Sequence, residues 1–114
     1  MLSFKNRLKK RNDFSAVLEK GRTAYSDIVV MRFLENNLNE TRFGFIVSKK
    51  ISKKSVTRNK IKRRLREQVR IRILKIKKGL DIVIIAKRKI IEKDSKEIGN
   101  ILEDIFLKNE LINK

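Results

Sequence analysis

Between residues 55 and 70 the chain reads SVTRNKIKRRLREQVR, where Arg58, Lys60, Lys62, Arg63, Arg64, Arg66 and Arg70 face a single carboxylate, Glu67. Cationic side chains at that density bind polyanions. Arg supplies a planar fork that fits phosphate oxygens and stacks on bases, and Asn59 adds an uncharged donor and acceptor for one fixed contact. Lys49, Lys50, Lys53 and Lys54 precede the stretch in SKKISKKS. The N–H groups of a helix starting there would add to a phosphate site. A second grouping suggests cutting instead of binding. Asp81, with Asp94 and Lys96, loosely has the form of two carboxylates that hold Mg²⁺ beside a Lys and activate water. A plainer reading fits these residues better: Asp94 caps a helix and Asp81 starts a strand.

Composition narrows the chemistry further. The 114 residues include neither His nor Cys. That removes Ser-His and Cys-His nucleophiles, imidazole bases, thiolate or imidazole metal sites and any disulfide framework. Basic residues outnumber acidic ones 31 to 13, a formal net charge of +18. Such a surface repels itself and calls for a polyanionic partner: nucleic acid, an anionic membrane or an acidic protein. With 40% apolar residues against 39% charged, the chain can still build one compact core. Residues 1–114 are expected to form one domain. No apolar run reaches the roughly 20 residues of a membrane span, and the basic N-terminal stretch lacks the apolar centre of a signal peptide. The expected compartment is the cytoplasm.

The elements that must position these residues follow from periodicity. NDFSAVLEKG predicts a short helix capped by Asn12 or Asp13 and stopped by Gly21. RTAYS reads as a short strand, then IVVMRFL (28–34) and RFGFIVS (42–48) as strands close enough to pair as an antiparallel hairpin. Ile61, Leu65, Val69 and Ile73 recur every fourth residue, an amphipathic helix expected to run to Lys75–Lys78 and end at Gly79. LDIVIIA (80–86) is apolar almost throughout, as suits a strand covered on both faces. Asp94 and Glu97 have capping-box spacing ahead of a last helix lined by Ile98, Ile101, Leu102, Ile105 and Phe106. The fold class is α+β: a small α/β sandwich in the order α-β-β-β-α-β-α, with helices mostly on one face of a four-stranded sheet.

At about 100° per residue, Leu65, Val69 and Ile73 lie within about 120° of Ile61. Asn59, Arg63, Arg66 and Arg70 lie near the opposite pole, at about 140° to 200°. Arg58 and Lys62 project nearer the apolar edge. A merely solvated face would mix signs, and like charges four apart destabilise an isolated helix. An external polyanion is the simpler explanation.

The motif order resembles the protein subunit of bacterial ribonuclease P. NDFSAVLEKG, RFGFIVSKK, SVTRNKIKRRLRE and GLDIVIIAKR follow one another at compatible spacing. The signature of that family, Arg-Asn-Arg then Ile-Lys-Arg, reads here Arg58-Asn59-Lys60-Ile61-Lys62-Arg63. Lys60 keeps the charge of the third position and loses its fork. The resemblance implies a left-handed crossover between two parallel strands. It also implies a protein that binds a catalytic RNA and the 5′ leader of precursor tRNA, while the RNA and its Mg²⁺ remove the leader. No cofactor on the protein itself and no catalytic side chain are implied. The signature role carries over to Arg58, Asn59, Lys60, Lys62, Arg63 and Arg66; Arg70 joins them from its helix angle. The leader is implied to lie in a cleft between the first helix and the sheet, bounded by Phe14, Leu18, Arg32 and Lys87. Val30 joins them because it shares the Arg32 face by alternation. Leu18 and Arg32 stand where the family often has aromatics, and Lys87 where it usually has Arg. Phe33, Phe43 and Phe45 read as packing residues.

Two rivals remain at this level: a stand-alone metal-dependent nuclease and a ribosomal or general RNA-binding protein. The expected partners are the catalytic RNA and precursor tRNA, with no membrane and no protein oligomer required.

Overall fold

The computed structural model describes residues 2–112. Helix α1 (Arg11–Lys20) is followed by strands β1 (Arg22–Tyr25), β2 (Val29–Glu35) and β3 (Arg42–Ile46). Helix α2 (Ser55–Arg70), strand β4 (Leu80–Ala86) and helix α3 (Ser95–Lys108) complete the order. The order and number of α-helices and strands are those the periodicity demands; two short 3-10 helices, Phe4–Asn6 and Arg88–Glu92, come in addition.

The pairing differs from the expected hairpin. The sheet order is β1-β2-β4-β3, so β2 and β3 do not touch. Instead β2 pairs antiparallel with β1 and with β4, and β3 pairs parallel with β4. The reason lies in β4. Ile82, Val83 and Ile84 are each 0% exposed, so this strand needs a neighbour on both edges and a layer on both faces. Inserting it between β2 and β3 provides all four.

Alternation along the strands divides the sheet into two faces. Met31 and Phe33 of β2, Phe43 of β3, and Ile82 and Ile84 of β4 point into the main core. Ile61, Leu65 and Val69 of α2 and Ile98, Leu102, Ile105 and Phe106 of α3 complete it from above. The opposite face carries α1, where Val17 packs on Val83 with Leu8, and Phe14, Leu34, Ile46 and Ile85 surround them.

Three helix boundaries settle the local expectations. Helix α1 begins two or three residues earlier than a cap at Asn12 or Asp13 allows, with Lys10 at the N-cap and no side-chain cap. Asp13 sits in the first turn, where a carboxylate favours the helix dipole, and approaches Arg42 Nη1 at 3.4 Å. Helix α2 stops at Arg70, not at Gly79. Residues 71–75 continue as turns, and Ile76 bridges to Ile112. Gly79 serves instead as the left-handed residue, φ 87°, that leads into β4. The capping box of α3 is present in full: Asp94 accepts from the Glu97 N–H, and the Glu97 carboxylate accepts from the Asp94 N–H.

Candidate nucleic-acid interface

Helix α2 buries Ile61, Leu65 and Val69 and turns its cations outward. Asn59, Lys60, Arg63 and Arg66 are exposed and Lys62 is half-buried. Among the described residues, no hydrogen bond or ion pair engages any of these five side chains. Arg64, on the flank, donates to the Lys93 carbonyl at 3.0 Å and ties α2 to the start of α3.

Arg58 and Arg70 belong to the same helix but are committed inside the protein. Arg58 Nη1 donates to the carbonyls of Ser52 and Lys53, both at 2.9 Å. It thus holds the lysine-bearing loop against the start of the helix. Arg88 does the same from the other side, donating to the Lys50 carbonyl at 3.0 Å. Lys49, Lys50, Lys53 and Lys54 are exposed on this loop, their ammonium groups unpaired among the described residues. Arg70 forks onto Glu67, with Nε to Oε2 at 3.0 Å and Nη2 to Oε1 at 2.5 Å. The hydrogen bond from Arg70 holds the Glu67 carboxyl below the usual carboxylate range, and the same bond raises the Arg70 guanidinium. Helical angle alone missed this pairing. The i,i+3 spacing of Glu67 and Arg70 was the available signal.

A partly exposed apolar row lies on the α1 face. Tyr25 is paired with Val30, Val30 with Ile85, and Ile85 with Ile46, which sets four side chains in a row across the sheet. By helix angle, Phe14 and Leu18 stand on the side of α1 that overlooks this row, and Asp13 and Lys20 on the other. Val30, Ile46, Ile85 and Phe14 are half-buried, and Leu18 and Tyr25 are exposed. Lys87 closes the far end of the strand, its Nζ donating to the Ser26 carbonyl at 2.9 Å. Phe33 and Phe43 are buried in the main core, and the half-buried Phe45 packs against it. All three are packing residues.

Arg32 has a role that alternation did not reveal. Its Nη2 donates to the Gly21 carbonyl at 2.8 Å, its Nη1 to Thr23 Oγ1 at 2.7 Å, and its Nε to the Val17 carbonyl at 3.3 Å. A cation thereby caps the C-terminal end of α1, where the helix dipole favours one. It leaves little of the guanidinium for an external ligand. The other end of α1 is held from β3. Arg42 forks onto the buried Asp81, Nε to Oδ1 at 2.8 Å and Nη2 to Oδ2 at 2.7 Å, and reaches Asp13. Asn36 gives Asp81 a further bond at 2.8 Å, and the Asp81 hydrogen bond is the main cause that raises the Arg42 guanidinium. The two carboxylates of the nuclease rival are therefore both occupied. Asp81 is tied to Arg42 and Asn36, and Asp94 caps α3.

A cationic helix over one face of a mixed four-stranded sheet, with a partly exposed apolar row ending at Lys87 on the other, defines a small α+β protein built to hold a polyanion. The chain belongs to the ribonuclease P protein family, whose sequence model, described as Ribonuclease P, matches residues 2–110. It is 39% identical over 105 residues to the ribonuclease P protein component of Thermoanaerobacter sp. (strain X514), covering 92% of this chain and 90% of that one. Two solved structures share its fold. The Staphylococcus aureus RNase P protein superposes with a TM-score of 0.86 at 31% identity, covering 95% of this chain and 98% of that one. The Thermotoga maritima RNase P protein gives 0.79 at 32% identity, covering 87% and 94%. The chain is accordingly the protein subunit of a ribonucleoprotein endoribonuclease, and its partner is the ribonuclease P RNA. Family membership separates it from a ribosomal or general RNA-binding protein, which charge could not do. Among the described residues, no helix is long and apolar enough to cross a membrane.

Proposed function

We propose that the protein is one RNA-binding domain, residues 1–114, that grips two RNAs at once: the catalytic RNA along α2 and the 5′ leader of precursor tRNA in the α1 cleft. The observation that carries this is the unpaired set Asn59, Lys60, Lys62, Arg63 and Arg66 on one exposed face. With Lys49, Lys50, Lys53 and Lys54 beside it, the face presents a continuous run of cations to the phosphates of an RNA. Arg58 contributes by fixing the lysine loop. The cleft row of Val30, Ile46 and Ile85 offers apolar faces to unstacked bases, and Phe14 and Leu18 form its wall. Lys87 supplies a cation at one end. Arg32 acts on the leader through α1, whose end it holds.

The Mg²⁺ that the cleavage requires is assigned to the RNA. Donor chemistry supports this: among the described residues no three carboxylates gather into one cluster. Asp81 already accepts two bonds from a guanidinium. The protein's share is to position substrate and RNA. No side chain of it is assigned to the chemical step, no protein oligomer is needed, and the work is placed in the cytoplasm. Reconstitution tests the reading. The protein mixed with a bacterial ribonuclease P RNA at low Mg²⁺ should restore 5′ processing of precursor tRNA. The holoenzyme should also bind leader-bearing substrate more tightly than mature tRNA. Equal affinity for the two would remove the leader from the cleft, and RNA cleavage by nuclease-free protein alone would revive the metal-dependent nuclease.

A further inference from the structure

The N-terminal segment, the edge of β3 and the flank of α2 enclose a recess of about 350 Å³. Arg7, Lys9, Lys62 and Arg66 line it together with the half-buried rings of Phe14 and Phe45, and no carboxylate does so among the described residues. Phe14 reaches this position because residue 44 is glycine: a Cβ there would stand 2.4 Å from Phe14 Cε1 and Cζ. Phe45 is fixed by Phe43, to which it lies nearly parallel with ring centroids 6.3 Å apart. The N-terminal segment joins the outer edge of β3 at Phe43, whose carbonyl accepts from the Leu8 N–H at 2.8 Å.

We propose that this recess holds one unstacked nucleotide of the catalytic RNA, its base against the Phe45 ring on the α2 side of β3 and its phosphates on Arg7, Lys9, Lys62 and Arg66, while Phe14, on the α1 side, bounds the recess toward the leader cleft. Cations set around an aromatic floor match a nucleotide, which offers a flat apolar face and anionic oxygens a few ångströms apart. The volume lies at the small end of ligand sites, about 300 Å³ and upward. Lys62 and Arg66 belong to α2, so the recess continues the ridge. The inference rests on that ridge facing the catalytic RNA, and this assigns the nucleotide to that RNA and not to the leader.

The test uses the full chain and a bacterial ribonuclease P RNA. Phe45→Leu keeps an apolar side chain in place but removes the ring. Affinity for the RNA should fall roughly 5- to 150-fold, the span of base–aromatic stacking, while Phe45→Tyr stays near wild type. Lys9→Ala, at an exposed residue, should make the log–log salt slope shallower by about 0.7. Holoenzyme assembled at saturating protein should bind precursor tRNA as before, with or without the leader. Wild-type RNA affinity in Phe45→Leu and a wild-type slope in Lys9→Ala overturn the proposal. So does an effect confined to leader-bearing precursor. Should Phe45→Leu melt early, Lys9→Ala decides alone. Arg63→Ala serves as the control for the ridge. If it weakens binding while the recess variants do not, only the recess assignment fails; if it too is silent, the ridge assignment fails with it.

Discussion

Replacing Glu67 by Gln should tighten the grip on RNA. Eight side-chain cations on α2 or the loop before it carry neither an ion pair nor a hydrogen bond among the described residues: Lys49, Lys50, Lys53, Lys54, Lys60, Lys62, Arg63 and Arg66. At about 0.7 per phosphate contact on single strands, they give a log–log salt slope of roughly −5 to −6. Affinity for the catalytic RNA should then fall about a thousandfold or more between roughly 50 and 200 mM salt. Arg70 is left out of that sum because its charge is paired with Glu67 through Nε and Nη2. Gln at 67 removes the anion and releases the guanidinium. The slope should steepen by about 0.7, so that crossing the same fourfold salt range costs nearly threefold more affinity than in the wild type. Arg63→Ala should act in the opposite sense, flattening the slope by about 0.7 and weakening binding by on the order of 1–3 kcal/mol with the fold intact. Fluorescence titration of labelled RNA at four or five salt concentrations measures both, with a thermal melt as the control for folding. A slope in Glu67→Gln equal to or shallower than the wild type would refute the reasoning. Either Arg70 already reaches RNA despite its partner, or neither residue faces it.

Three further outcomes follow from the same contacts. In the free protein, the Glu67 carboxyl should titrate by NMR below its usual value near 4.5, because Arg70 donates to its charged form. The pair is therefore fully formed above that usual value and is lost as pH falls through the depressed one, and Arg70→Ala should return the titration upward. Asp81→Ala should cost about 3 kcal/mol, the low end for breaking a buried ion pair because Arg42 keeps some solvent and Asp13, and should lower Tm by about 10 °C or more. A loss of only a few tenths of a kcal/mol would mean that the network is dispensable. Arg32→Met should cost about 2 kcal/mol by freeing the end of α1, and should erode the preference for leader-bearing substrate while the salt slope for the catalytic RNA stays as in the wild type. A slope flattened by about 0.7 would show instead that Arg32 touches phosphate.

Element identity was legible from the chain because it depends on local periodicity. The four-residue recurrence of Ile61, Leu65 and Val69, the apolar run at 80–86 and the Asp94–Glu97 pair each fix their element within a few residues. The ridge was legible for the same reason: Asn59, Arg63 and Arg66 share a pole of α2 whatever the helix packs against. Boundaries were harder where a tertiary partner competes. The apolar repeat runs on to Ile73, but α2 ends at Arg70 because residues 71–75 turn the chain toward β4. Asp13 was a fair cap by type and was instead drawn into the first turn facing Arg42.

The chain alone determined a cationic helix, two further helices, four strands and an excess of charge that only a polyanion can balance. These follow from residue spacing within a few turns or a few pleats. Tertiary structure decided which strands are neighbours, because β4 needs apolar cover on two faces and partners on two edges, and separation in sequence does not enter that requirement. It also decided which arginines are free. Arg32, Arg42, Arg58 and Arg70 are the same kind of residue as Arg63 and Arg66, and only the carbonyls and carboxylates that folding brings within reach make them part of the scaffold.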